Sequence, residues 1–105
     1  MKEIKAFIHR KRIADVVHAL KSAGFEQMSF IDVQGTLKAM NQDEREYSLE
    51  IGQEVITETK LELFCDDSRL EDAVSIIRKF ASTTQQVSGW VYISDTVALA
   101  IDPLR

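Results

Sequence analysis

Hydrophobic and polar residues alternate along "IKAFI", so that Ile4, Ala6 and Ile8 face one way while Lys5, Phe7 and His9 face the other. A period of two predicts a strand. Ile13, Val16, Val17, Leu20 and Ala23 then recur at helical spacing and make one apolar stripe. Gly24 follows at once, in the place where a helix ends on a residue tolerant of positive φ. "MSFIDV" is rich in β-formers and leads to Gly35, and "TKLELFC" alternates again, with Leu61, Leu63 and Cys65 against Lys60, Glu62 and Phe64. Ser68-Arg69-Leu70-Glu71 has the spacing of a capping box. Leu70, Ala73, Val74, Ile77 and Phe80 form the second helical stripe. "STTQQVSG" is turn-like, "WVYIS" is a fourth strand, and Pro103 stops regular structure.

The order is β-α-β, a long connection, then β-α-β. This predicts an α+β, ferredoxin-like βαββαβ domain over residues 1–105, with a four-stranded antiparallel sheet. Right-handed crossovers put both helices on one face. Ile4, Ala6, Ile8, Leu61, Leu63, Cys65, Val91 and Ile93 should meet them. The opposite face should carry Phe7, His9, Lys60, Glu62, Phe64, Trp90 and Tyr92. Four aromatics among charges form a surface that monomers rarely leave open. A second copy of the chain, with Lys60 and Glu62 paired inside or at the rim, is the expected cover.

The connection "VQGTLKAMNQDEREYSLEIGQEV" is the anomaly. Its polar middle carries no core-facing pattern, and roughly twenty structureless residues are uncommon in a compact domain unless they have a function. We expect residues 35–54 to act as a mobile arm.

Composition narrows the class. The chain has 105 residues, 45% hydrophobic and 29% charged, with a net charge of −4. That balance argues against a nucleic-acid surface. No apolar run reaches the ~20 residues of a membrane helix, and "MKEIKAFIHRKR" lacks the apolar core of a signal peptide. One cysteine, Cys65, fits a reducing cytoplasm.

The chain as a whole resembles the PII signalling superfamily. "MKEIKAFIHRKRIADVVHALKSAGF" is similar to that family's first strand and helix, and "MSFIDVQG" to its second strand and the glycine opening its large loop. "TKLELFCDD" resembles the third strand, with its Lys-x-Glu pair at Lys60 and Glu62, and "VSGWVYISD" the nucleotide-contacting turn and fourth strand. The resemblance implies a non-enzymatic, cytoplasmic homotrimer that binds a nucleotide between subunits and regulates a partner through its long loop. Candidate partners are a membrane transporter or a carboxysome-related protein.

The departures are specific. Glycines let backbone N–H groups approach a phosphate, and lysines supply charge. In "TTQQVSGW" only Gly89 keeps that pattern. Ala98 and Ala100 stand where the family has phosphate-binding arginines, Ala39 and Glu58 where it completes a site for Mg-ATP with 2-oxoglutarate, and Ile51 where some members carry a modified tyrosine, with Tyr47 nearby but out of register. What remains is a base pocket: Ser29 and Thr83 as hydroxyls, Phe7 and Phe64 as apolar walls, Gly35 and Gly89 for close backbone approach. Lys38 and Arg45 are the arm's cations, suited to a phosphate or to bicarbonate. The resemblance is therefore to the divergent PII-like proteins of inorganic-carbon uptake, and implies AMP, ADP or cyclic AMP, with bicarbonate as a second ligand. The alternative is a metal-responsive trimer of the copper-tolerance type, for which His9, His18 and Cys65 are the available soft ligands. No enzyme signature is present.

Overall fold

A computed structural model describes residues 1–35, 45–48, 53–83 and 89–102. The elements are β1 (Lys2–His9), α1 (Ile13–Ser22), β2 (Met28–Gly35), β3 (Arg45–Ser48), β4 (Gln53–Cys65), α2 (Leu70–Ala81) and β5 (Gly89–Asp95). The main sheet has the order β2-β4-β1-β5, all neighbours antiparallel. This is the ferredoxin-like arrangement that the element order predicts.

The alternation sets the faces. Ile4, Ala6, Ile8, Leu61 and Leu63 are fully buried against Val16, Leu20, Ala73 and Ile77 of the two helices. Cys65 joins this core, and burial pushes its thiol pKa up. Val91 packs at the margin. Ile93 does not meet the helices as expected: it pairs with Ile4 and so has the right face, yet it is 47% exposed. It stands on an edge strand, outside the width that the helices cover.

Helix α1 ends as Gly24 requires. Gly24 adopts φ 94°, its N–H donates to Lys21 O and the Phe25 N–H donates to Leu20 O, closing a Schellman motif over two buried side chains. The start of α2 differs from expectation. The chain enters it through a 3-10 turn, Asp67–Arg69, so Ser68 lies inside a helical turn, where it cannot act as the flanking cap. No side-chain cap forms there. Instead, Arg69 Nη2 donates to Ala23 O at 2.9 Å, with its guanidinium 4.3 Å from the centre of the Phe25 ring. Arg12 makes the reciprocal tie, its Nε donating to Phe80 O at 3.1 Å. Each helix start is thus fastened to the other helix's end.

The long connection is not structureless throughout. Arg45–Ser48 pairs antiparallel with Gln53–Ile56, and β4 begins at Gln53, earlier than the "TKLELFC" alternation indicates. The remainder of the arm, including Lys38, Ala39 and Ile51, lies outside the described residues.

Candidate functional site

The face opposite the helices carries the chemistry. Register places Phe7 between Lys60 and Trp90, Lys5 between Glu62 and Tyr92, and Glu3 beside Phe64. Trp90 and Tyr92 are about half exposed, and Phe64 is open to solvent. Phe7 and Tyr92 meet edge-to-face, with centroids 5.8 Å apart and planes at 88°, a geometry favoured by ring quadrupoles. Lys60 Nζ lies 3.2 Å from Glu62 Oε1 and Lys5 Nζ 3.2 Å from Glu3 Oε1, so the charges expected on this face do pair within one chain. Glu58 is buried among them, opposite His9 and Val33.

The candidate base-pocket residues do not converge within the chain. Ser29, exposed on edge strand β2, is level with Glu62, and Phe64 lies one step further toward the same end. Gly35 and Arg45 are both opposite Ile56, at the far end of β4. From Phe64 to Ile56 is about 26 Å of strand at ~3.3 Å per residue. Gly89 is on the other edge strand, opposite Ile8. Three strand spacings separate β2 from β5, about 14 Å. Thr83 follows α2, whose last turn is tied to Arg12 just beyond β1, and so belongs to the Gly89 end.

Gly89 also has a role inside the sheet. A Cβ built there would sit 2.2 Å from Phe7 O, far inside contact distance. The missing side chain lets β1 and β5 approach, whatever else that glycine does.

The soft ligands stay apart. Cys65 points into the core, His18 lies on α1 and His9 at the end of β1. Among the described residues no three His, Cys, Asp or Glu side chains gather as a metal site. A shallow groove between the helices, lined by Arg12, His18, Ile76 and Phe80, contains none of the candidate base-pocket residues. Sequence reasoning overlooked Phe30 and Ile31, both about half exposed on the β2 edge. Their signal was apolar residues on both parities of one strand. Among the described residues no helix is long and apolar enough to cross a membrane.

The sequence profile of the family described as Nitrogen regulatory protein P-II matches residues 1–99. The Nitrogen regulatory protein P-II of Porphyra purpurea is 30% identical over 95 residues, covering 90% of this chain and 85% of that protein. That of Pyropia yezoensis is 31% identical over 94 residues, covering 90% and 84%. Nitrogen regulatory protein P-II 1 of Methanothermobacter thermautotrophicus is 28% identical over 97 residues, covering 92% and 84%. With a profile spanning nearly its whole length and an open sheet of the expected order, the chain belongs to the P-II family of regulatory proteins.

Proposed function

We propose that the protein is a non-enzymatic regulator that binds a small adenine nucleotide between the subunits of a homotrimer and acts on a partner through residues 35–54. The observation that carries this reading is the separation of Ser29 from Gly89 and Thr83. A purine is too small to bridge the width of the sheet, so one base touches both groups only when they come from different copies. The uncovered aromatic face, with its paired Lys60 and Glu62, supports the same assembly, because burying it needs a partner surface.

The phosphate side argues for a nucleotide with few charges. Ala98 and Ala100 lie in an exposed segment without regular structure and offer no cation. Each missing charge-assisted contact forfeits roughly 1.5–3 kcal/mol where the phosphate would be buried. AMP, ADP or cyclic AMP then binds at least as well as Mg-ATP, and bicarbonate is the second ligand that suits Lys38 and Arg45. A transporter or carboxysome-related target follows from the same reading, in line with the divergent PII-like set.

Calorimetric titration with AMP, ADP, ATP and cyclic AMP, each with and without bicarbonate and 2-oxoglutarate, tests it. ATP should gain nothing over ADP, and 2-oxoglutarate should have no effect. ATP binding at least tenfold tighter than ADP, strengthened further by 2-oxoglutarate, refutes the pocket described here.

A further inference from the structure

The helical layer carries a groove that the site described above does not use. It runs between α1 and α2 with a volume of about 740 Å³, within the ~300–1,000 Å³ of pockets that take ligands. Its lining residues flank the buried rows of Val16, Leu20, Ala73 and Ile77 and belong to none of them. On the α1 wall stand Ala19, Ser22 and Ala23, all small; on the α2 wall stand Ile76 and Phe80, one turn apart. Small residues facing large ones leave a trough where two walls of large side chains would interdigitate. Two ties fix its width. Arg12 Nε donates to Phe80 O at one end, and Arg69 Nη2 donates to Ala23 O at the other. The trough is therefore held open before anything binds, which lowers the ordering cost of binding.

Charge marks one end of it. Arg12 lines the groove, and Lys79 Nζ lies 5.3 Å from the centre of the Phe80 ring. Arg10, Lys11 and Arg78 are their neighbours in sequence. Two carboxylates stand against these cations: Asp15 Oδ2, 3.7 Å from Arg12 Nη1, and Asp32 Oδ1, 3.9 Å from Arg10 Nε. Positive charge is still in excess there among the described residues, in a chain whose net charge is −4.

We propose that this groove binds a short amphipathic segment of a partner protein, its apolar side on Ile76 and Phe80 and its acidic end at Arg12 and Lys79. A peptide suits it better than a bilayer, because the cations border a trough with an apolar floor and not a flat face. With ten residues, α1 is about 15 Å long at ~1.5 Å per residue. A helix of about ten residues laid beside it therefore spans the groove, the apolar face inward. The assembly proposed above would cover the opposite face of the sheet, so the groove is open in one copy or in three. The contact needs neither the arm nor a nucleotide. It goes beyond the regulatory reading above, and the two fail separately.

The test uses the full chain and two fluorescein-labelled helical peptides of about twelve residues with leucines at helical spacing, one ending in three glutamates and the other in three lysines. Fluorescence anisotropy gives the affinities, and amide chemical shifts of the isotope-labelled protein locate the contact. Vesicles of phosphatidylglycerol are titrated in parallel. The acidic peptide should bind at least about tenfold more tightly than the lysine peptide at low salt, with shifts confined to α1 and α2. Ala19→Leu, which fills the groove, and Lys79→Glu, which reverses its charge, should each weaken that binding at least about fivefold while circular dichroism shows an intact fold. Equal affinity for both peptides, shifts on the sheet, or full binding by Ala19→Leu overturns the proposal. So does binding of the vesicles without binding of the acidic peptide, which would assign these cations to a lipid surface.

Discussion

Replacing Gly89 with alanine separates two roles that the sequence alone merges. The added Cβ would lie 2.2 Å from Phe7 O, whereas close C···O contacts in sheets settle near ~3.3 Å. β1 and β5 must therefore part locally by about 1 Å, against an inter-strand spacing of ~4.8 Å. The Gly89 φ of 157° adds backbone strain of its own, since it lies in a range that residues with a side chain rarely adopt. Overpacking of this kind costs about 1–3 kcal/mol. In a domain of this size each kcal/mol lowers Tm by roughly 4–8 °C. Thermal and urea unfolding should be followed at one fixed protein concentration, because the proposed assembly would make Tm depend on it. The expected outcome is a lower Tm, together with any loss of nucleotide binding. The sequence suggests a different result, abolished binding in an undisturbed trimer, because there the glycine serves only a ligand. An unchanged Tm with binding lost would show that β1 tolerates the side chain and would refute the argument from strand approach.

Four further outcomes follow from the contacts described. Arg69→Ala should cost about 1–2 kcal/mol by freeing the Ala23 carbonyl and the Phe25 ring, and Arg69→Lys should restore less than half of it in urea titrations, since an ammonium lacks the planar fork. Glu62→Ala should weaken assembly, because breaking a pair that becomes buried typically costs ~3–5 kcal/mol; an unchanged mass and Tm would mean that Lys60 and Glu62 stay solvated. The Lys2 hydrogen bond holds the Asp95 carboxyl below its ordinary 3.8, so its stabilisation is present at neutral pH and fades as acid protonates Asp95. Asp95→Asn should therefore flatten the acid limb of a stability-versus-pH curve while leaving the fold intact. Cys65, buried with a raised pKa, should react with a thiol reagent at pH 7 far more slowly than in the unfolded chain.

Periodicity reached the elements whose packing it encodes. The stripes of α1 and α2 and the alternation in β1 and the second half of β4 are the buried rows of the structure. β3 was not legible, since Arg45-Glu46-Tyr47-Ser48 carries no apolar alternation in its sequence and pairs with Gln53–Ile56 along the backbone. The capping box failed because hydroxyl spacing cannot distinguish a cap from a residue already inside a 3-10 turn. Ile93 failed because alternation gives a face but not whether a helix extends over that part of it. Candidate residues could be named from the sequence, but their distance from one another could not. Ser29 and Gly89 lie on opposite edges of the main sheet, a separation that strand order sets and periodicity does not reveal.

The sheet order also bears on how the chain is born. β1 lies between β4 and β5, the last two strands to be synthesised. At ~5–20 residues per second, roughly 3–11 s pass between completion of His9 and of Cys65. During that interval Ile4, Ala6 and Ile8 have no strand to pair with, and α1 has only part of its core. A nascent chain halted before Gly89 would lack the strand that completes the main sheet. Such a polypeptide should be cut by protease while still on the ribosome, and become resistant only once Gly89–Asp95 has cleared the exit tunnel.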